Sequence, residues 1–134
     1  MSKPRTPRPP KIIMRETDAD RLSALAEPIA DANPAASLLL DEIARAEVRA
    51  DAKVPAGVVA MGSVVEFVDE ASGAERTVRL VYPAEADIAV GKISVLSPVG
   101  AGLIGLSAGQ TIHWPDRDGR TRLLRVVRVS AETA

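Results

Sequence analysis

Apolar residues follow two different periods along this chain, and the change falls near Lys53-Val54-Pro55-Ala56-Gly57. Before it, Leu22, Leu25 and Ile29, then Leu39, Ile43, Ala46 and Ala50, recur on a helical seam of about 3.5 residues. Thr17 is a plausible helix start with Asp20 three residues on as an approximate capping box. Pro28 ends or kinks that helix, and Asn33-Pro34 supplies the N-cap and first residue of a second. Two helices with a short connection predict an antiparallel α-hairpin, with arms of ~15 and ~25 Å at 1.5 Å per residue. After the change the period is two. Val58–Val68 and Glu75–Tyr82 read as strands around a hairpin loop at Asp69–Ala74. Lys92–Leu96, Gln110–Trp114 and Arg120–Ser130 read as further strands, the last two joined by the turn Asp116-Arg117-Asp118-Gly119. In the last run Leu123, Leu124, Val126, Val127 and Val129 occupy both parities, as in a central strand with both faces partly covered.

One small helix interrupts the strands. Ser97 is a good N-cap, Pro98 fits the first helical position, and Gly105 supplies a left-handed terminator that Leu106 can close over. No charged residue occurs from Ile93 to Pro115, a length that would suit a membrane span. Pro98, Pro115, four glycines, Gln110 and His113 within it argue against one, and the chain reads as soluble. The surface from Ser97 through Pro98, Val99, Gly100, Ala101 and Gly102 to Leu103 is small, apolar and free of ionisable groups. Glycines 100 and 102 weaken a helix unless something approaches closely, either the sheet beneath or a partner above.

Composition narrows the chemistry. With no cysteine in 134 residues there is neither a disulfide nor a thiolate metal site, and a lone His113 cannot build a histidine zinc centre. No nucleophile elbow accompanies His113 and Trp114, which argues against a catalytic triad. Phe67, Tyr82 and Trp114 are the only aromatics, too few for a base-stacking platform. The net charge of −1 conceals segregation: residues 1–15 hold five basic and no acidic side chains, whereas 16–51 hold nine acidic and three basic. Phosphate would repel such an arm, so direct DNA binding is not expected. The proline-rich stretch Met1–Pro10 reads as a basic tail. Glu27 and Asp31 near the hairpin tip suit either a cation or basic wall, or simply a solvated turn. Near the C-terminus Arg120, Arg122 and Arg128 would share one strand face and Arg125 the other, for rim docking or for edge protection.

Ser97-Pro-Val-Gly-Ala-Gly-Leu-Ile-Gly105, with Ile93-Ser-Val95 before it, Met61-Gly-Ser-Val-Val65 at the first strand and Val126-Val-Arg-Val129 at the last, resembles the C-terminal domain of the bacterial Gre transcript-cleavage factors. Within that group, Val59-Ala-Met61, Leu80-Val-Tyr-Pro-Ala84, Ile112-His-Trp114 and the short arm are similar to the Rnk type, regulators of nucleoside diphosphate kinase. The resemblance implies an α+β fold: a short N-terminal antiparallel α-hairpin, then an FKBP-like antiparallel β-sheet with one short helix. It divides the chain into a tail (1–15), an arm (16–52) and a body (53–134). It implies a cytoplasmic, monomeric, non-catalytic regulator that binds RNA polymerase near its secondary channel, with no cofactor or metal of its own. Gre factors carry two acidic residues at the tip to hold magnesium at the polymerase active site. Here Pro28 separates Glu27 from Asp31 and the arm is shorter, so the expectation is competition with Gre factors without stimulated cleavage. Fold alone would also allow a peptidyl-prolyl isomerase, and the acidic arm a generic adaptor.

Overall fold

The computed structural model describes residues 11–70, 72–115 and 121–130. Its helical part begins with strand β1 (Ile13–Arg15), helix α1 (Glu16–Ala26), a 3-10 turn at Glu27–Ile29, helix α2 (Pro34–Arg45) and strand β2 (Glu47–Arg49). Asn33 caps α2 as its sequence predicts, its side chain accepting the Ala35 and Ala36 N–H groups at 3.0 and 3.2 Å. The seam ends sooner than expected. Ala46 is extended at ψ 148°, and residues 47–49 pair in parallel with β1, so neither Ala46 nor Ala50 belongs to the helix. A backbone that finds ladder partners, such as Glu47 N–H on Ile12 O at 2.9 Å, gains nothing by continuing the helix.

The start of α1 also differs from the expected capping box. Arg15 is the N-cap and offers no side-chain cap, while Thr17 lies inside the first turn. The missing acceptor comes from 34 residues away: Asp51 Oδ1 takes the Thr17 N–H at 3.1 Å and Oδ2 takes the Thr17 hydroxyl.

The body holds β3 (Val64–Asp69), β4 (Glu75–Val81), β5 (Lys92–Ser94), helix α3 (Pro98–Leu103), β6 (Thr111–Pro115) and β7 (Thr121–Ser130). The strand order is β5-β4-β3-β7-β6. The pairs β3–β4, β3–β7 and β6–β7 are antiparallel, but β4 and β5 run parallel, so the sheet is mixed rather than wholly antiparallel. Two 3-10 turns, Pro83–Glu85 and Ile88–Val90, carry the chain back along the sheet before Gly91, at φ 78°, turns it into β5. The first body strand starts at Val64, not Val58; Val58 makes one isolated bridge, to Ser107.

Strand β7 is central, as expected, but its apolar residues reach both parities through a bulge. Glu66 faces Arg128 and Phe67 faces Val126, leaving Val127 as the extra residue, 47% exposed. Val126 and Val129 therefore both pack on the core. Arg125 and Arg128 both project outward, to Glu70 at 3.0 Å and Glu66 at 2.7 Å. Simple alternation, which set Arg125 on the opposite face, fails at this bulge. The turn at 116–119 and the tail at 1–10 lie outside the described residues.

Leu22 and Leu39 of the helices share one buried cluster with Leu80, Leu103, Ile104 and Val126 of the body. Among the described residues no helix is long and apolar enough to cross a membrane. A close seam between the start of the arm and the body lies at Gly105. It has φ 85°, its N–H meets Val59 O at 2.9 Å, and its carbonyl accepts Ile13 N–H at 3.1 Å. A Cβ there would sit 2.9 Å from Ile12 Cβ. Gly109 shares the left-handed geometry, at φ 90°, but faces open space. Gly105→Ala is therefore expected to cost about 3 kcal/mol and Gly109→Ala about 1 kcal/mol. Urea unfolding of both variants measures the difference, and equal losses would remove the packing contribution.

Candidate functional site

The segment leading into α3 is held by a short network. Ser94 Oγ accepts the Leu96 N–H at 2.9 Å, Ser97 Oγ donates to Ser94 O at 2.7 Å, and Ser97 Oγ accepts the Gly100 N–H at 3.1 Å. The last of these is the predicted N-cap. Gly100 has no room for a side chain, because a Cβ would run into the Ser94 carbonyl oxygen. From this point α3 is enclosed: Gly100, Ala101, Gly102 and Leu103 are buried, with α2 in contact with the helix. Ser97, Pro98 and Val99 remain half-exposed at its N-terminal rim. Of the seven residues singled out in the sequence, only these three reach a surface.

At the far end, Glu27, Pro28 and Ile29 form the exposed 3-10 turn, and Asp31 is exposed beyond it. The Ala32 N–H closes on Ile29 O at 3.1 Å. Neither Glu27 nor Asp31 has a side-chain partner among the described residues. No group of three or more His, Asp or Glu there is placed to hold a metal ion. The acidity of the arm is only partly available. Asp18 pairs with Arg15, Glu42 with Arg45 and Glu47 with Arg49, while Asp51 caps α1. Glu16, Asp20, Glu27, Asp31 and Asp41 are exposed.

Where the helices meet the body, the structure assembles a cleft that no spacing in the sequence announces. Its volume is about 310 Å³, and Arg15, Asp18, Arg21, Asp51, Tyr82 and Lys92 are among its walls. Asp18 is 2% exposed and accepts from Arg15 Nε and Nη2 at 2.9 and 3.0 Å and from Met61 N–H at 3.2 Å. That carboxylate thus ties α1 to the loop before β3. Burial raises the Tyr82 pKa and the Asp18 charge adds to it, while Arg21 and Arg15 pull it down. His113 is exposed on β6.

The two hydrogen bonds from Thr17, hydroxyl then backbone, hold the Asp51 pKa below its ordinary value of 3.8. A carboxylate with a depressed folded pKa contributes stability above its unfolded value, and that contribution is lost as pH falls through the folded value. The stability gap between the native chain and Asp51→Asn is expected to be full above about pH 4 and to close below it. Urea unfolding across that range checks the trend, and a gap independent of pH would mean that the charge is not what holds α1.

Residues 54–131 match the family model for the GreA/GreB transcription elongation factor C-terminus, and residues 10–48 match the Rnk N-terminus. The chain is 38% identical over 121 residues to the Escherichia coli K12 regulator of nucleoside diphosphate kinase, covering 90% of this chain and 89% of that one. It is 40% identical over 93 residues to the transcription elongation factor GreA of Chelativorans sp. BNC1, covering 69% of this chain and 59% of that relative. Among solved structures it is similar to a GreA/GreB transcription elongation factor from Nitrosomonas europaea. That match has 41% identity and a TM-score of 0.71, and covers 90% of this chain and 98% of the other. With a body of the GreA/GreB kind and an arm matching the Rnk N-terminus, the chain belongs to the GreA/GreB transcription elongation factor family, in its Rnk branch.

Proposed function

We propose that this chain is a non-catalytic, cytoplasmic regulator of transcription that binds RNA polymerase near its secondary channel and competes there with the longer Gre factors. The observation that carries the reading is the combination of a Gre-type body with an arm whose helices have only 11 and 12 residues. At 1.5 Å per residue these span ~17–18 Å. Buried residues of both helices are spent on the body's core, which leaves only the 3-10 turn and its neighbours to project. Glu27 and Asp31 then stop short of a metal buried in the channel, and no cleavage is stimulated. Their role is electrostatic, on a basic wall. The body docks through the α3 rim at Ser97, Pro98 and Val99, and the protein acts as a monomer with no metal and no direct hold on DNA. The regulation of nucleoside diphosphate kinase in the name of the Escherichia coli relative would follow from an effect on transcription.

Binding to purified polymerase core, with a GreA factor as competitor, tests this. Leu103 is unsuitable for mutation because it is fully buried. Pro98→Asp is better, since Pro98 is half-exposed and an acidic residue is favourable in the first helical turn. The native chain is expected to bind and be displaced by the competitor, with no transcript cleavage. Pro98→Asp should weaken binding by roughly tenfold, about 1.4 kcal/mol, at an unchanged melting temperature. Absence of binding at micromolar concentrations, or cleavage on a par with GreA, overturns the proposal.

A further inference from the structure

The arm leaves the body through a single-residue elbow. Arg15 is extended, at φ −68° and ψ 142°, and the next residue is already helical, so the direction of α1 is decided within its first turn. One buried carboxylate occupies that turn. Asp18 Oδ2 accepts both Arg15 Nε at 2.9 Å and the Met61 N–H at 3.2 Å, while Oδ1 accepts Arg15 Nη2 at 3.0 Å. Arg15 Nη2 also donates to Met61 O at 3.4 Å, so both backbone groups of Met61 are engaged. Met61 is itself fixed. The adjacent Gly62 N–H meets Leu80 O at 2.7 Å and the Leu80 N–H meets Ser63 O at 3.0 Å, which sews this loop to β4. A closed ring of hydrogen bonds therefore runs from the elbow through Asp18 to the sheet. Leu22 and Leu39 also hold the arm on the body. Apolar contact is non-directional, however, and survives small shifts. A carboxylate that is 2% exposed does not tolerate them, because opening one bond leaves buried charge unmatched.

We infer that Asp18 is the positioning residue of the arm: it fixes the direction in which α1 leaves the body, and with it the place where the tip carrying Glu27 and Asp31 stands. The Gly105 seam acts one step earlier, on β1, and leaves the turn into α1 undetermined. The Thr17–Asp51 bonds add a second tie, but to an exposed linker rather than to the sheet. Resting on the polymerase reading, the inference means that the tip is aimed before binding, so no ordering of the arm is subtracted from affinity.

The chain has no cysteine, so two introduced ones can carry spin labels without background. Asp31→Cys at the tip and Thr77→Cys on β4 lie at exposed positions, and pulsed electron spin resonance reads the distance between them in the free full chain. The native background is expected to give one narrow distance distribution. Asp18→Ala should broaden and shift it and lower the melting temperature by about 10 °C. Arg15→Met combined with Asp18→Leu replaces the ion pair with apolar volume. It should recover most of the melting temperature while the distribution stays broad, and it alone decides should Asp18→Ala fail to fold. Val65→Ala, in the sheet core, should lose a comparable melting temperature yet keep the native distribution. A native distribution in the double variant, or broadening in Val65→Ala as well, would overturn the role of Asp18. Pro98→Asp keeps the narrow distribution whatever it does to polymerase binding, which separates this inference from failure of that reading.

Discussion

The contact that the rest of the structure depends on is the close approach of the Ile12–Ile13 backbone to Gly105. There is no room for a side chain between them, and the hydrogen bonds on either side of Gly105 reach Val59 and Ile13. Three segments distant in sequence are thereby joined at one residue: the strand leading into α1, the irregular stretch ahead of β3, and the end of α3. Once they are joined, α2 lies against α3, and Leu39 and Leu103 enter a common core. The arm is consequently not an appendage on a tether. Its base is part of the body's packing, and only the tip is free of it.

What the sequence announced and what it concealed divide along the range of the interactions. Asn33 and Ser97 were legible as caps because a cap acts within three residues, and both make the expected bonds. The overrun of α2 to Ala50 was an error of competition: the helical pattern continues through Ala46, but β1 offers residues 47–49 better backbone partners. The parallel pairing of β5 could not be read from its three residues, since strand direction is decided by where the intervening turns release the chain. The bulge at Val127 is invisible to a period-two reading, which assumes that every residue advances the pleat.

The candidate sites follow the same division. Ser97, Pro98 and Val99 were recognisable because a capped turn and a family motif coincide there. The small residues beyond them were recognised as a surface, but they serve close packing, as Gly100 against the Ser94 carbonyl illustrates. The cleft of Arg21, Tyr82 and Lys92 escaped entirely. Its members lie on α1, on β5 and just after β4, brought together only when the sheet edge meets α1, and no one of them stands out in its local sequence.

The seam at Gly105 also sets a timetable. Its hydrogen bonds, and the Gln110 side chain on Lys11 O 99 positions away, join the first residues of the chain to a region made late in synthesis. At ribosomal speeds the start of the chain emerges roughly 5–20 s before those partners exist. Contacts so far apart in sequence also carry a large loop-closure entropy and slow the final collapse. The base of the acidic arm is thus exposed before the partners that secure it have been made. In that interval its apolar faces are open to chaperones, proteases and one another.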